Sequence, residues 1–202
     1  MSKKSPDAVP SETSTEAAAD PEFPTHFDFA ASERALNDAW EAAGLFRAEG
    51  ARNILITTDG TFSMDGTIAP LDRITALAHE YGALVHIDEC HCTGFLGATG
   101  RGAAEVHGVL DCIDIYTGTL GKALGGALGG FTSARRPVIE MLRQRSRPYL
   151  FSNSLPPPVV AAGIEVFAML AGADELRGQL AQNTRYFRER MGAAGFELRP
   201  GT

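Results

Sequence analysis

Leu84-Val-His-Ile-Asp-Glu-Cys-His91 opens as an apolar strand and closes in two carboxylates, a thiol and an imidazole. A short apolar run of this kind, set between Gly82 and Gly94, predicts a buried strand over 84–87. Immediately before it, Leu71, Ile74, Leu77, Ala78 and Tyr81 recur at helical spacing, and Gly82 follows as a C-cap, so 71–81 is predicted helical. Asn53-Ile-Leu-Ile-Thr57 on one side and Ile113-Asp-Ile-Tyr-Thr117 on the other read as further strands. Strands separated by helical segments imply right-handed parallel crossovers. The fold class is therefore α/β, with ligands expected at the carboxyl ends of the strands.

Outside this centre, Ser32 to Ala48 is predicted as a helix with Ser32 at its N-cap and Leu36, Trp40 and Ala43 on one face. Three later segments, 137–146, 159–170 and 173–191, also carry helical patterns. Pro156-Pro-Pro158 marks the best domain junction. Residues 1–24 mix Lys3 and Lys4 with five acids, Ser, Thr, Ala and Pro, and offer little apolar surface to offset ordering entropy; they are expected to be a disordered tail. The tail has neither the apolar run of a secretory signal nor the Arg-rich, acid-poor character of a transit peptide.

The 202 residues are 44% hydrophobic and 21% charged, a globular composition, with a net charge of -7. An acidic balance argues against nucleic acid as a partner. No run of about 18 apolar residues offers a membrane span. Cys90, Cys92 and Cys112 are too few for a disulfide scaffold, and a reducing, cytoplasmic compartment fits them best.

Four segments carry chemistry. Thr117-Gly-Thr-Leu-Gly-Lys-Ala-Leu-Gly-Gly126 fails as a P-loop, because only two residues separate Gly118 from Gly121 and Ala123 follows Lys122. What remains is a lysine in a glycine-rich loop after a strand, either a Schiff-base nucleophile or a surface lysine on a turn. Asp88, at a strand's carboxyl end, can hold a cationic nitrogen or cap the next turn, and His91 alone reads as a packed histidine. His86, Cys90, His91 and Cys92 are potential metal ligands, yet their crowding within seven positions matches no common zinc spacing. Asp59-Gly-Thr-Phe-Ser-Met-Asp-Gly66 is a turn-rich loop that exposes Ser63 where the strand ends point. Arg143, Arg145 and Arg147 form either a solvated face or a guide for an anionic substrate.

Taken together, the strand-end Asp, the His three residues on and the lysine of Gly-Thr-Leu-Gly-Lys resemble the pyridoxal-phosphate enzymes of the aminotransferase superfamily. Segments 59–66, 117–126 and 143–154 are similar to those of the α-oxoamine synthases, and among them of the glycine C-acetyltransferases. The resemblance runs from about Asp28 to Thr202. It implies a fold type I large-domain half with a mostly parallel sheet over residues 25–155, and the start of a small C-terminal domain over 156–202. It implies pyridoxal 5'-phosphate as cofactor, glycine and acetyl-CoA as substrates, a step of threonine breakdown, and a homodimer with shared sites. By position, Lys122 resembles the lysine that bonds the cofactor. Asp88 resembles the carboxylate paired with the pyridine nitrogen, and His91 the histidine near the ring hydroxyl. Ser63 matches the serine on that side of the ring, and Thr119 a hydroxyl on the phosphate. Ser152 matches a hydroxyl that reaches the phosphate in the neighbouring subunit's site. 8-Amino-7-oxononanoate synthase and 5-aminolevulinate synthase share the lysine and are alternatives, as is a non-catalytic truncated partner. Glu89, Cys90 and Cys92 depart from the residues relatives more often carry. Family chains extend further at both ends, with a ring-stacking residue before this segment and a carboxylate-binding arginine after it. The resemblance therefore implies an incomplete chain.

Overall fold

The computed structural model describes residues 29–44, 50, 53–126 and 128–201. The predicted tail over 1–24 lies outside them. The chain divides into two units, residues 1–49 and 50–202. In the first, helix α1 spans Phe29–Ala42 and keeps Leu36 and Trp40 largely exposed. It begins three residues before Ser32, and the end of the predicted helix, 45–48, lies outside the described residues.

The second unit is built on a four-stranded sheet in the order β1-β2-β3-β4, with β1 at Leu55–Asp59, β2 at Leu84–Asp88, β3 at Ile115–Thr119 and β4 at Gly130–Ala134. β1, β2 and β3 are parallel, and β4 returns antiparallel to β3. The sheet is thus mostly parallel. Helix α2 (Leu71–Tyr81) makes the first crossover, and Gly82 closes it in the left-handed conformation at φ 62°. Its N–H turns back toward the carbonyls of Ala78 and His79, and the N–H of Ala83 bonds the Ala78 carbonyl at 2.8 Å, satisfying acceptors that the helix end would leave open. The second crossover holds the short helix α3 (Ala103–Val106) and a 3₁₀ turn at Leu110–Cys112, neither of which the apolar pattern announces.

Strand positions follow the ladder rather than the apolar runs. β1 and β3 each begin two residues later than predicted and end two residues later, because Asp59 pairs with Asp88, and Thr119 with Gly130. β4 has no sequence prediction behind it. The missing Cβ of Gly118 makes room for it: a Cβ there would lie 2.3 Å from Cζ of Phe131. Helices α4 (Arg136–Arg145), α5 (Arg147–Phe151), α6 (Pro157–Leu170) and α7 (Asp174–Ala193) follow; α5 falls in the segment read as a basic run.

Alternation along β2 separates two faces. Val85 and Ile87 are fully buried in one cluster with Leu71 and Ala78 of α2, Ala103 and Ala104 of α3, and Cys92. Burial of such aliphatic side chains contributes roughly 1.5–3 kcal/mol each. On β4, Phe131 packs edge-on against Phe167 of α6, with ring centroids 5.4 Å apart. The opposite face carries Thr57, Asp59, His86, Asp88 and Thr117, all exposed or half-buried. No described helix is long and apolar enough to cross a membrane.

Candidate active site

Three connections converge where β1, β2 and β3 end. Asp88 is the last residue of β2, and its Oδ1 accepts the backbone N–H of Cys90 at 2.8 Å. The capping role is therefore occupied. The second oxygen, Oδ2, accepts the hydroxyl of Thr117 at 3.0 Å. Burial alone would raise the Asp88 carboxyl, but the bonds from Cys90 and Thr117 and the nearby Lys122 charge outweigh it and hold the carboxyl below its ordinary value.

Lys122 sits in the loop between β3 and β4. Leu120 and Gly129 close the base of that loop through a 3.0 Å backbone bond, and Gly125 N–H donates to the Lys122 carbonyl at 3.0 Å. The side chain is exposed, and Nζ lies 2.9 Å from Nε2 of His91. An ammonium only donates, so Nε2 of His91 accepts and the ring carries its proton on Nδ1. The lysine stands on a turn, as the plainer reading expects, with its amine oriented by an imidazole from the neighbouring loop.

Glu89, wholly buried, fixes that loop. Its carboxylate accepts the N–H of Ala103 at 3.0 Å and of Ala104 at 3.2 Å, joining the end of β2 to the start of α3. Cys92 is buried and donates its thiol to Thr61 at 3.0 Å; burial pushes it up to about 12, and burial together with Asp88 pushes Cys90 up to about 11. Neither thiol is poised as a nucleophile.

The remaining candidates stand apart. Thr119 accepts the N–H of Gly121 and donates to the carbonyl of Gly129, both at 3.1 Å, so its hydroxyl shapes the Lys122 loop. Ser63 lies exposed in the turn after β1. Ser152 follows α5 and returns its hydroxyl to the Pro148 carbonyl. Among the described residues no hydrogen bond joins Ser63 or Ser152 to Lys122, His91 or Asp88. Arg143, Arg145 and Arg147 are all exposed, with the Arg147 guanidinium 5.6 Å from the centre of the Phe151 ring.

Three residues, His86, Thr57 and Thr117, gain a place that the motifs did not assign. His86 bridges Thr57 and Thr117, with Nδ1 2.6 Å from the first hydroxyl and Nε2 3.0 Å from the second. Spacing held the signal: His86 and Asp88 are two apart on a strand and therefore share a face. Among the described residues no group of three or more His, Cys, Asp and Glu is arranged to hold a metal ion. Clefts of about 690 and 510 Å³ open elsewhere, the larger between Tyr116, Phe131 and Phe167, and neither is lined by Lys122, Asp88 or His91. The chemistry-bearing side chains are gathered in the polar cluster at the strand ends rather than in either cleft.

The sequence model of the family described as aminotransferase class I and II matches residues 16–201. The chain is 56% identical over 171 residues to the 2-amino-3-ketobutyrate coenzyme A ligase of Salmonella typhimurium, a match covering 85% of this chain and 41% of that protein. The 8-amino-7-oxononanoate synthase of Geobacter metallireducens is 50% identical over 153 residues, covering 75% of this chain and 39% of that protein. The high-resolution structure of SPT with PLP internal aldimine superposes with a TM-score of 0.69 and 40% identity, over 73% of this chain and 37% of that one. The chain spans about two fifths of the length of these curated relatives.

Proposed function

Because the chain belongs to the aminotransferase class I and II family, we propose that it carries the lysine-bearing half of a pyridoxal-phosphate-dependent acyltransferase, which condenses glycine with acetyl-CoA to give 2-amino-3-oxobutyrate and CoA. The observation that carries this reading is the Lys122 amine held 2.9 Å from His91 beside an ionised Asp88 at the end of a central strand. Likeness over 171 residues to a 2-amino-3-ketobutyrate coenzyme A ligase supports the choice of substrates.

The donor set suits the cofactor. A primary amine can bond an aldehyde, and a carboxylate kept below its ordinary value can pair with a protonated pyridine nitrogen. Lys122 would hold the cofactor through Nζ, Asp88 through its carboxylate, and His91 and Ser63 beside the ring. Thr119 would meet the phosphate, and Ser152 the phosphate of a neighbouring subunit in a homodimer. When bound, pyridoxal phosphate supplies an electron sink for the charge left at an amino acid's α-carbon. Freed as a neutral amine, Lys122 Nζ would take one α-proton of glycine. The α-carbon bonds the acetyl carbon as the thioester C–S bond breaks, the proton leaves on the CoA sulfur, and the product keeps glycine's second α-hydrogen. His91, accepting from Nζ, directs that amine. Asp88 remains ionised throughout, its two oxygens fixed by Cys90 and Thr117.

Residues 25–155 belong, in this reading, to the large domain and 156–202 to the start of the small one. A cytoplasmic location fits the three free cysteines, and likeness to a 2-amino-3-ketobutyrate coenzyme A ligase supports a step of threonine breakdown. Likeness to an 8-amino-7-oxononanoate synthase favours one second reading, a longer acyl donor. Borohydride reduction of the protein with pyridoxal phosphate, followed by peptide mapping, tests the assignment. A pyridoxyl group on Lys122 is expected, and its absence there overturns the proposal. Turnover of glycine with acetyl-CoA against alanine with pimeloyl-CoA then separates the two readings.

A further inference from the structure

We propose that His86 and Thr117 are positioning residues for Asp88, joined to it in a one-way string of hydrogen bonds that begins at Thr57. The inference rests on the cofactor-binding role given to Asp88 above, and it concerns residues that role does not name.

Chemistry dictates the direction of the string. An ionised carboxylate only accepts, and a hydroxyl has one proton to donate. Thr117 therefore spends its proton on Oδ2 of Asp88, 3.0 Å away. Its oxygen can then only accept from Nε2 of His86, also at 3.0 Å. The neutral ring consequently carries its proton on Nε2 and presents a bare Nδ1, which accepts the hydroxyl of Thr57 at 2.6 Å. Each bond crosses between strands: Thr57 pairs in register with His86, and Asp88 with Thr117. The string thus spans β1, β2 and β3 on a single face of the sheet.

Its consequence is orientation. The Cys90 N–H holds Oδ1 from the loop, and Thr117 holds Oδ2 from the neighbouring strand. The carboxylate is gripped at both oxygens while each keeps capacity to accept a further donor. If His86 lost its Nε2 proton, Thr117 would have to turn its hydroxyl toward the ring and leave Oδ2. A bond to a charged group is stronger than one between neutral groups, so the string favours the arrangement in which Asp88 is ionised.

Nitrogen NMR of the histidine rings at pH 8, with Thr117→Val and Thr117→Ser variants, tests this. The expected result is a proton on Nε2 of His86 in the parent chain and in Thr117→Ser, and a mixture of tautomers in Thr117→Val. A proton on Nδ1 in the parent, or a tautomer indifferent to Thr117→Val, overturns the proposal. In a pyridoxal-phosphate titration followed by absorbance, Thr117→Val should bind about tenfold more weakly. Thr117→Ser should bind like the parent, and equal affinity of the parent and Thr117→Val also overturns the proposal. Should the parent bind no pyridoxal phosphate, the proposed function fails, and the NMR measurement still decides the string. His86→Gln, whose amide can donate to Thr117, should retain affinity that His86→Leu loses; equal affinities of these two count against it.

Discussion

Nζ of Lys122 and Nε2 of His91 meet at 2.9 Å although 31 positions of sequence separate them. The contact joins the β3–β4 loop to the loop after β2, and it gives an exposed lysine a defined direction. His91→Leu should leave Nζ unanchored. Capture of pyridoxal phosphate by borohydride at Lys122 is expected to slow about tenfold, the worth of one hydrogen bond to a charged group. Lys122→Ala should abolish capture, and mass mapping of the reduced peptide checks both.

Asp88 makes stability depend on acid. Its folded carboxyl lies below the ordinary value of 3.8, so its ionised form stabilises the fold at every pH above that value. That contribution is lost as pH falls from 3.8 through the lower folded value. The urea midpoint of Asp88→Asn should lie below the parent's at pH 7, and the gap should close as the solution is acidified below 3.8. A gap that widens in acid would contradict the assignment.

Two glycines of positive φ should respond very differently to alanine. At Gly82, φ 62°, a Cβ meets nothing within 4 Å, so Gly82→Ala costs only the backbone strain, about 1–2 kcal/mol. At Gly102, φ 94°, a Cβ would stand 2.4 Å from Oε2 of Glu89. Glu89 cannot yield, because it satisfies Ala103 and Ala104. Gly102→Ala should therefore cost about 3 kcal/mol or more, the sum of strain, overpacking and disturbed hydrogen bonds. Denaturant unfolding of the two variants measures the difference.

The cysteines should separate by rate of alkylation. Cys112 is exposed, whereas Cys90 is half-buried and raised to about 11 and Cys92 is buried and raised to about 12. At pH 8 about one Cys90 in a thousand is thiolate. Iodoacetamide should label Cys112 first by a wide margin, as read by peptide mass. Early labelling of Cys90 would contradict the arrangement.

Much of the unit was legible along the chain. Helix α2 and its cap stand where Leu71, Ile74, Ala78 and Gly82 put them, since amphipathic spacing and a glycine stop are local signals. Strand ends were displaced by two residues, because a strand lasts as long as its neighbour supplies partners and not as long as its apolar run. β4 escaped notice: Gly130-Phe-Thr-Ser-Ala134 has one large apolar residue, and its pairing depends on the space left by Gly118. Lys122, Asp88 and His91 were recognisable from their motifs, while Thr117 stood unremarked at the head of one of them.

Order along the chain was enough to place Val85 and Ile87 on one face of a strand and His86 and Asp88 on the other, and to set a lysine in a glycine-rich loop. Those are consequences of a two-residue repeat and of backbone freedom, both carried by neighbours in sequence. Which side chains then touch was a matter of sheet register. Thr57 with His86, His86 with Thr117, Thr117 with Asp88 and Lys122 with His91 are contacts across 29 to 31 positions. A one-residue slip between β2 and β3 would send Thr117 to the apolar face and leave Asp88 with a single donor. Proton direction in the site, and with it the charge on Asp88, is therefore a property of the assembled sheet.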